Sequence, residues 1–256
     1  MGRLDGKVCV ITGAGGGMGR EAAIVFTREG AKVCAADVNL AAVEETVGLC
    51  EGEAFAFQCN VAVEDQVAAM MAATADRFGG IDVLYNNAGI SPDDDGSILD
   101  TTVDAWQRVQ DVNTLGVFLC CKHGIPYLQR RGGGSVINVA SFVGIVGAAT
   151  SQISYTASKG AVTAMSKELG VQFAREGIRV NALCPGPVET PLLLNIFGDN
   201  PAALERRKIH WPTGRLAKPR EIVNGALFLA SDDSTYVNGA TFLVDGGLTA
   251  AYVTPE

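Results

Sequence analysis

Tyr155 and Lys159 are the residues of this chain whose types and spacing most directly suggest chemistry. They stand four positions apart in Ser154-Tyr155-Thr156-Ala157-Ser158-Lys159, so in a helix they share one face, one turn apart. A phenol alone is a poor acid near neutral pH, with a reference pKa of about 10. A neighbouring ammonium favours the phenolate and brings that value down. The pair can therefore pass a proton to or from a substrate oxygen at working pH. The same spacing occurs in ordinary amphipathic helices, so the elements around it decide what it is.

Those elements alternate. Short apolar stretches at 7–12, 31–36, 54–58, 81–85, 134–140, 178–184 and 240–244 read as buried strands of a parallel sheet. Helical patterns lie between them at 20–29, 40–51, 63–78, 104–130, 154–175 and 220–230. The alternation predicts an α/β chain with one Rossmann-type, doubly wound parallel sheet of about seven strands, and a single domain over residues 1–256. The first strand runs into Gly13-Ala14-Gly15-Gly16-Gly17-Met18-Gly19 and then a helix. Glycines there let the backbone approach a pyrophosphate, and the helix N-terminus offers N–H groups and a positive dipole end. Asp37 closes the second strand. A carboxylate at that place accepts from adenosine ribose hydroxyls and repels the extra phosphate of NADP. Val38 and Asn39 follow with no adjoining Arg or Lys, so Asp37 favours NAD(H).

The glycine spacing is not Gly-x-Gly-x-x-Gly but Thr-Gly-x-x-x-Gly-x-Gly, through Thr12, Gly13, Gly17 and Gly19. With that variant the chain resembles the short-chain dehydrogenase/reductase (SDR) family, and the resemblance extends from Lys7 to Gly247. It implies that the turn with Gly13, Gly17, Met18 and Gly19 holds the cofactor phosphates. Asn60-Val61 stands where the family usually has an acidic residue followed by Val against the adenine; Asn60 keeps hydrogen-bonding capacity and lacks the charge. Asn87, Ala88 and Gly89, from Asn86-Asn87-Ala88-Gly89, match the stretch that lies along the cofactor. Pro185, Gly186, Val188 and Thr190 match the segment beside the nicotinamide, with Val188 and Thr190 at its carboxamide. Asn113, Ser141, Tyr155 and Lys159 match the catalytic set, 13 residues separating Ser141 from Tyr155. By resemblance, Ser141 holds the substrate oxygen near Tyr155, and Tyr155 exchanges its proton as hydride moves to or from NAD. Lys159 bonds the nicotinamide ribose, and Asn113 holds a water that links Lys159 to solvent. Residues 191–212 fall where the family has a substrate lid, 248–256 form a short tail, and a homotetramer is implied, with the long helices and last strand at its interfaces. The substrate pocket is then expected from Phe142, Ile145, Val146, Gln152, Val188 and the lid. Their largely apolar character points to a secondary alcohol or an alicyclic or steroid-like ketone over a sugar.

Composition narrows the alternatives. The chain has 256 residues and a net charge of -8 with no basic cluster, which argues against nucleic acid and anionic membrane as partners. No apolar run reaches spanning length and no apolar leader precedes the first strand, so the cytoplasm is the expected location. The seven cysteines include no Cys-x-x-Cys and read as buried thiols, and His123 and His210 lack partners at ligand spacing, so no metal is expected. The three aspartates at 93–95 read as an exposed loop. Two further readings compete with an NAD-dependent alcohol dehydrogenase or ketone reductase. One is a 3-oxoacyl-[acyl-carrier-protein] reductase using NADPH, which Asp37 opposes. The other is a non-catalytic NAD-binding sensor, which the full catalytic set opposes.

Overall fold

All five residues of β1, Val8–Thr12, are buried. Their side chains divide between two layers: Cys9 and Ile11 pack under one set of helices, and Val10 under the other. Burial on both faces is why the strand reads as a continuous apolar run without alternation. The same logic holds for β2 (Lys32–Asp37), β4 (Val83–Asn86), β5 (Gly134–Val139) and β6 (Ile178–Pro185), whereas β3 (Ala54–Gln58) and β7 (Thr241–Val244) stand at the edges and are only partly buried. In the computed structural model, which describes residues 2–148, 150–197 and 201–251, these strands form one sheet in the order β3-β2-β1-β4-β5-β6-β7. Every pairing is parallel, with Cys9 opposite both Val33 of β2 and Val83 of β4.

The helices are α1 (Gly17–Arg28), α2 (Leu40–Gly48), α3 (Glu64–Phe78), α4 (Val103–Gln110), α5 (Gly116–Arg130), α6 (Ile153–Phe173), α7 (Pro191–Phe197), α8 (Pro201–Lys208) and α9 (Pro219–Ala230). On one face, Ala22, Ala23 and Phe26 of α1 meet Ile222, Val223 and Ala226 of α9. On the other, Val67 and Met70 of α3, Leu119 and Leu128 of α5 and Val162 of α6 close the second core. Strand order reverses between β1 and β4, and at such a point the loops leaving the carboxyl ends part to make a crevice. A buried polar chain crosses beneath that crevice: Asn86 Nδ2 donates to Asn138 Oδ1 (2.8 Å), and Asn138 Nδ2 donates to Ser166 Oγ (3.0 Å).

The helix expected over 104–130 is present without a break, with a wide π-type turn, Asp111–Leu115, inside it. Two local readings are corrected. The loop at 91–97 is not wholly exposed, because Asp95 is buried. Val83–Asn86 begins two residues later than expected and carries Asn86 into the sheet. The cysteines are all free and only Cys50 is partly exposed. Among the described residues, no group of His, Cys, Asp or Glu has the arrangement of a metal site. No described helix is long and apolar enough to cross a membrane.

Candidate active site

Tyr155 and Lys159 lie in α6, whose inward face carries Ser154, Ser158, Val162 and Ser166 at spacings of four, with Lys159 beside Ser158. Small residues on that face bring the helix close to β5 and its following turn. Ser141 follows β5 by two residues and caps a 3₁₀ turn, Phe142–Gly144, its Oγ accepting from Val143 N. A Cβ placed on Gly144 would lie 2.8 Å from both the carbonyl carbon and the oxygen of Lys159, so only glycine fits where this turn meets α6.

Lys159 is 4% exposed, and its Nζ donates to Val139 O at 2.8 Å. The ammonium stands 5.4 Å from the centre of the Tyr155 ring. Burial lowers its pKa to about 8. Burial also pushes the Tyr155 phenol up, and a hydrogen bond with Ser141 offsets only part of that. The direction is opposite to the one expected from a lysine beside a phenol. The ammonium is bonded to a backbone carbonyl and sits over the ring, so desolvation of the phenol sets the sign.

Asn113 occupies the π-type turn and is fully buried. Its Oδ1 accepts from Ile90 N (2.8 Å), while its Nδ2 donates to Ile90 O (2.9 Å) and Ser158 Oγ (3.1 Å). The widened turn thus aims one amide at both the loop after β4 and α6, a use typical of π-bulges. A Cβ built on Gly89 would lie 3.3 Å from both Asn113 Oδ1 and Lys159 Nζ, so these two groups border one small space. Asn113, Ser141, Tyr155 and Lys159 therefore meet at the carboxyl ends of β4 and β5.

The glycine turn is tied to the same place. Asn87 Nδ2 donates to Thr12 O (3.0 Å) and Gly13 O (3.2 Å), and Ala88 N donates to Thr12 Oγ1 (3.1 Å). Gly13 has φ +67°, and a Cβ on Gly19 would stand 2.1 Å from Gly13 O. Nothing lies within 4 Å of where a side chain on Gly16 would be, and α1 starts there with no side-chain cap and no acid in its first turn. Open space over uncapped helix N–H groups fits a dinucleotide pyrophosphate. Asp37 borders this turn, with Oδ2 accepting from Gly15 N (2.9 Å) and Oδ1 from Asn39 N (3.0 Å). Asn60 Oδ1 accepts from Ala62 N, while the Val61 side chain turns inward against Gly116. Pro185 ends β6, Gly186 N donates to Val244 O, and Val188 bridges to Ala217. Thr190 stands at the root of α7, its Cγ2 3.4 Å from where a Cβ on Gly17 would be.

A cleft of about 670 Å³ joins Ser141, Tyr155 and Lys159 to Met18, Asn87, Gly89, Pro185, Gly186, Val188 and Thr190. Phe142, Val146 and Gln152 line it as expected from the sequence. Ile145 does not: the 3₁₀ turn buries Val143 and leaves Ile145 44% exposed. Leu192, Leu193, Arg207, His210 and Trp211 from 191–212 line the cleft, so this segment stands where a lid would; the side chains of Ile196 and Phe197 lie outside the described residues. Leu248, Asp93 and Asp95 also reach the cleft and were missed from sequence. Residues 252–256 of the tail are outside the described part.

A family model described as enoyl-(acyl carrier protein) reductase matches residues 13–249. The chain is 41% identical over 258 residues to an uncharacterized oxidoreductase, YxbG, of Bacillus subtilis, covering 98% of this chain and 93% of that one. It is 40% identical to a 3-oxoacyl-[acyl-carrier-protein] reductase, FabG, of Thermotoga maritima, covering 96% of this chain and 99% of the other. Among solved structures it resembles levodione reductase, with a TM-score of 0.93 and 34% identity over 97% of this chain and 100% of that one.

Proposed function

The chain belongs to the SDR family of oxidoreductases, and from that premise we propose that it interconverts a secondary alcohol and a ketone with NAD(H), using Tyr155 as acid and base. The observation that carries this reading is the convergence of Ser141, Tyr155 and Lys159 on one wall of a mostly apolar cleft that begins at the glycine turn. The Ser141 hydroxyl orients the substrate oxygen toward Tyr155. In oxidation the Tyr155 phenolate takes the hydroxyl proton; in reduction the phenol returns it. Lys159 and Asn113 border a space from which that proton can be replaced. The nicotinamide cofactor, when bound, accepts or supplies the hydride. The glycine turn would hold its pyrophosphate, and Asp37 its adenosine ribose. The apolar walls, with the segment 191–212 as lid, exclude water from the reacting carbon.

Asp37 supports NAD over NADP, because a carboxylate at that turn repels a further phosphate. The name of the Thermotoga relative favours a second reading, a 3-oxoacyl-[acyl-carrier-protein] reductase using NADPH. The exposed Leu115 at the end of the π-type turn, Phe118 on α5, Val171 on α6 and Leu243 on β7 support a homotetramer built on those elements. Seven free thiols suit a reducing cytoplasm.

The test is turnover of a panel of secondary alcohols with NAD+ and NADP+ in parallel, for the wild type and Tyr155→Phe. The variant is expected to lose turnover by more than about 10³-fold while binding NADH within a few-fold of wild type. Substantial residual activity in the variant, or NADP+ as the better cofactor, would overturn the corresponding part of the proposal.

A further inference from the structure

The run Asp93-Asp94-Asp95 puts three identical side chains into three environments. Asp93 is exposed at the cleft. Asp94 forms an exposed ion pair with Arg108 of α4, at 2.6 Å. Asp95 is 5% exposed, and both of its oxygens are spent on the catalytic helix: Oδ1 accepts from Ser154 N (2.9 Å) and Oδ2 from Tyr155 N (2.7 Å).

These contacts complete the amino end of α6. The residue preceding the helix, Gln152, makes no side-chain cap. The N–H of Ile153 instead donates to Gly96 O (3.2 Å), those of Ser154 and Tyr155 to Asp95, and that of Thr156 to Gln152 O (3.0 Å). A helix must satisfy its first N–H groups, and a neighbouring side chain ordinarily does so. Here the cap comes from a loop 60 residues away in sequence, and it grips the backbone of Tyr155 itself. The same loop contributes Ser91, Pro92, Asp93 and Gly96 to the cleft wall. It is braced by Thr101 Oγ1, which accepts from Gly96 N (2.9 Å). On the far side, Gln110 Nε2 of α4 holds Ser154 O and Oγ, each at 3.0 Å.

We infer that Asp95 is a positioning residue for the reaction. It fixes the backbone of Tyr155 against the loop that walls the substrate side of the cleft, and so sets where the phenol stands relative to a bound substrate. The inference rests on the proposed role of Tyr155. A carboxylate can meet both N–H groups at once, whereas an amide offers one oxygen and turns its NH2 toward the other donor. Alanine offers nothing. Misplacing a catalytic group by about 1 Å costs roughly 100-fold in rate.

The experiment compares wild type, Asp95→Ala, Asp95→Asn and Asp94→Ala. Steady-state kinetics and NADH affinity are measured on each, with hydrogen exchange across the chain. Asp95→Ala is expected to lower kcat by about 30- to 100-fold, with the KM for NADH within about 2-fold of wild type. Asp95→Asn should recover part of that loss, and Asp94→Ala should leave kcat unchanged. Exchange should accelerate in Asp95→Ala at 153–156 and not elsewhere. The inference is overturned if Asp95→Ala keeps its kcat, or if exchange at 153–156 is unaltered. It is equally overturned if NADH affinity and protection fall throughout the chain and asparagine rescues neither. A wild type that turns over no alcohol or ketone sinks the proposed function instead. The exchange measurement still decides whether Asp95 holds the Tyr155 backbone.

Discussion

Replacing Lys159 by methionine should remove activity and, at neutral pH, make the protein no less stable. The side chain is 4% exposed, and burial takes its pKa from an ordinary 10.5 to about 8. That difference corresponds to about 3 kcal/mol by which folding disfavours the charged form. Methionine has similar length and carries no charge, so it releases this penalty. It also strips Val139 O of its donor, which costs about 1–3 kcal/mol. The balance at pH 7 is a gain of about 0–2 kcal/mol, a Tm higher by at most roughly 5 °C. The pH dependence is sharper. An unfolded lysine keeps its proton up to 10.5, whereas the folded one releases it near 8. Between those values the unfolded state binds more protons at this group, so Lys159 adds a stabilising contribution to the wild type as pH rises that the variant lacks. The difference between the two should therefore move by about 2–3 kcal/mol in favour of wild type from pH 7 to pH 10. Urea melts followed by Trp106 and Trp211 fluorescence at both pH values give this difference directly. A constant difference, or one drifting the other way, would refute the account of Lys159 as a buried, charge-strained base.

Asp37→Ala should raise the ratio of kcat/KM for NADP+ over NAD+ by at least about 10-fold, read from initial rates, because it removes a like charge from the second phosphate. Gly19→Ala places a methyl 2.1 Å from Gly13 O and 2.7 Å from Asn87 Nδ2, and should weaken NADH binding by about 10- to 100-fold in calorimetry. Alkaline conditions should destabilise wild type and variants alike. Burial raises Cys34 and Cys121 to about 12 and Cys59 and Cys184 to about 11, from an ordinary 9.0. Their stabilising contribution is whole below pH 9 and is lost as pH rises through 11 to 12, so the urea midpoint of each protein should fall above pH 9.

The sheet was legible in the sequence because it rests on a local rule, and the meeting of Asn113, Ser141, Tyr155 and Lys159 at its carboxyl end because those positions match one family's motifs. Strands buried on both faces leave uninterrupted apolar runs, and a strand–glycine–helix passage has few other uses. Asp95 was not legible. Three aspartates in a row look uniformly solvated, and what separates them is a helix end that sequence places 60 residues away. The π-type turn at Asp111–Leu115 was equally hidden, since no Pro or Gly interrupts that stretch and the turn is held by contacts of Asn113 with Ile90 and Ser158. Ile145 was misassigned to the pocket because the turn after Ser141 winds with three residues per turn, which exchanges its place with Val143. The net direction of the Tyr155 shift was missed because sequence reports proximity and not desolvation.

Where the turn after Ser141 touches α6 at Gly144, no side chain stands between the two backbones. Their separation is fixed by main-chain atoms, which substitutions other than at Gly144 leave in place. Side chains elsewhere in the core can drift through mutation without altering the gap between Ser141 and Tyr155. The cleft is bounded differently, by Leu192, Val146, Trp211 and Leu248, whose side chains define its shape. Inheritance is thereby divided: descendants of this chain can acquire new substrates one wall residue at a time while the reaction itself passes down unchanged.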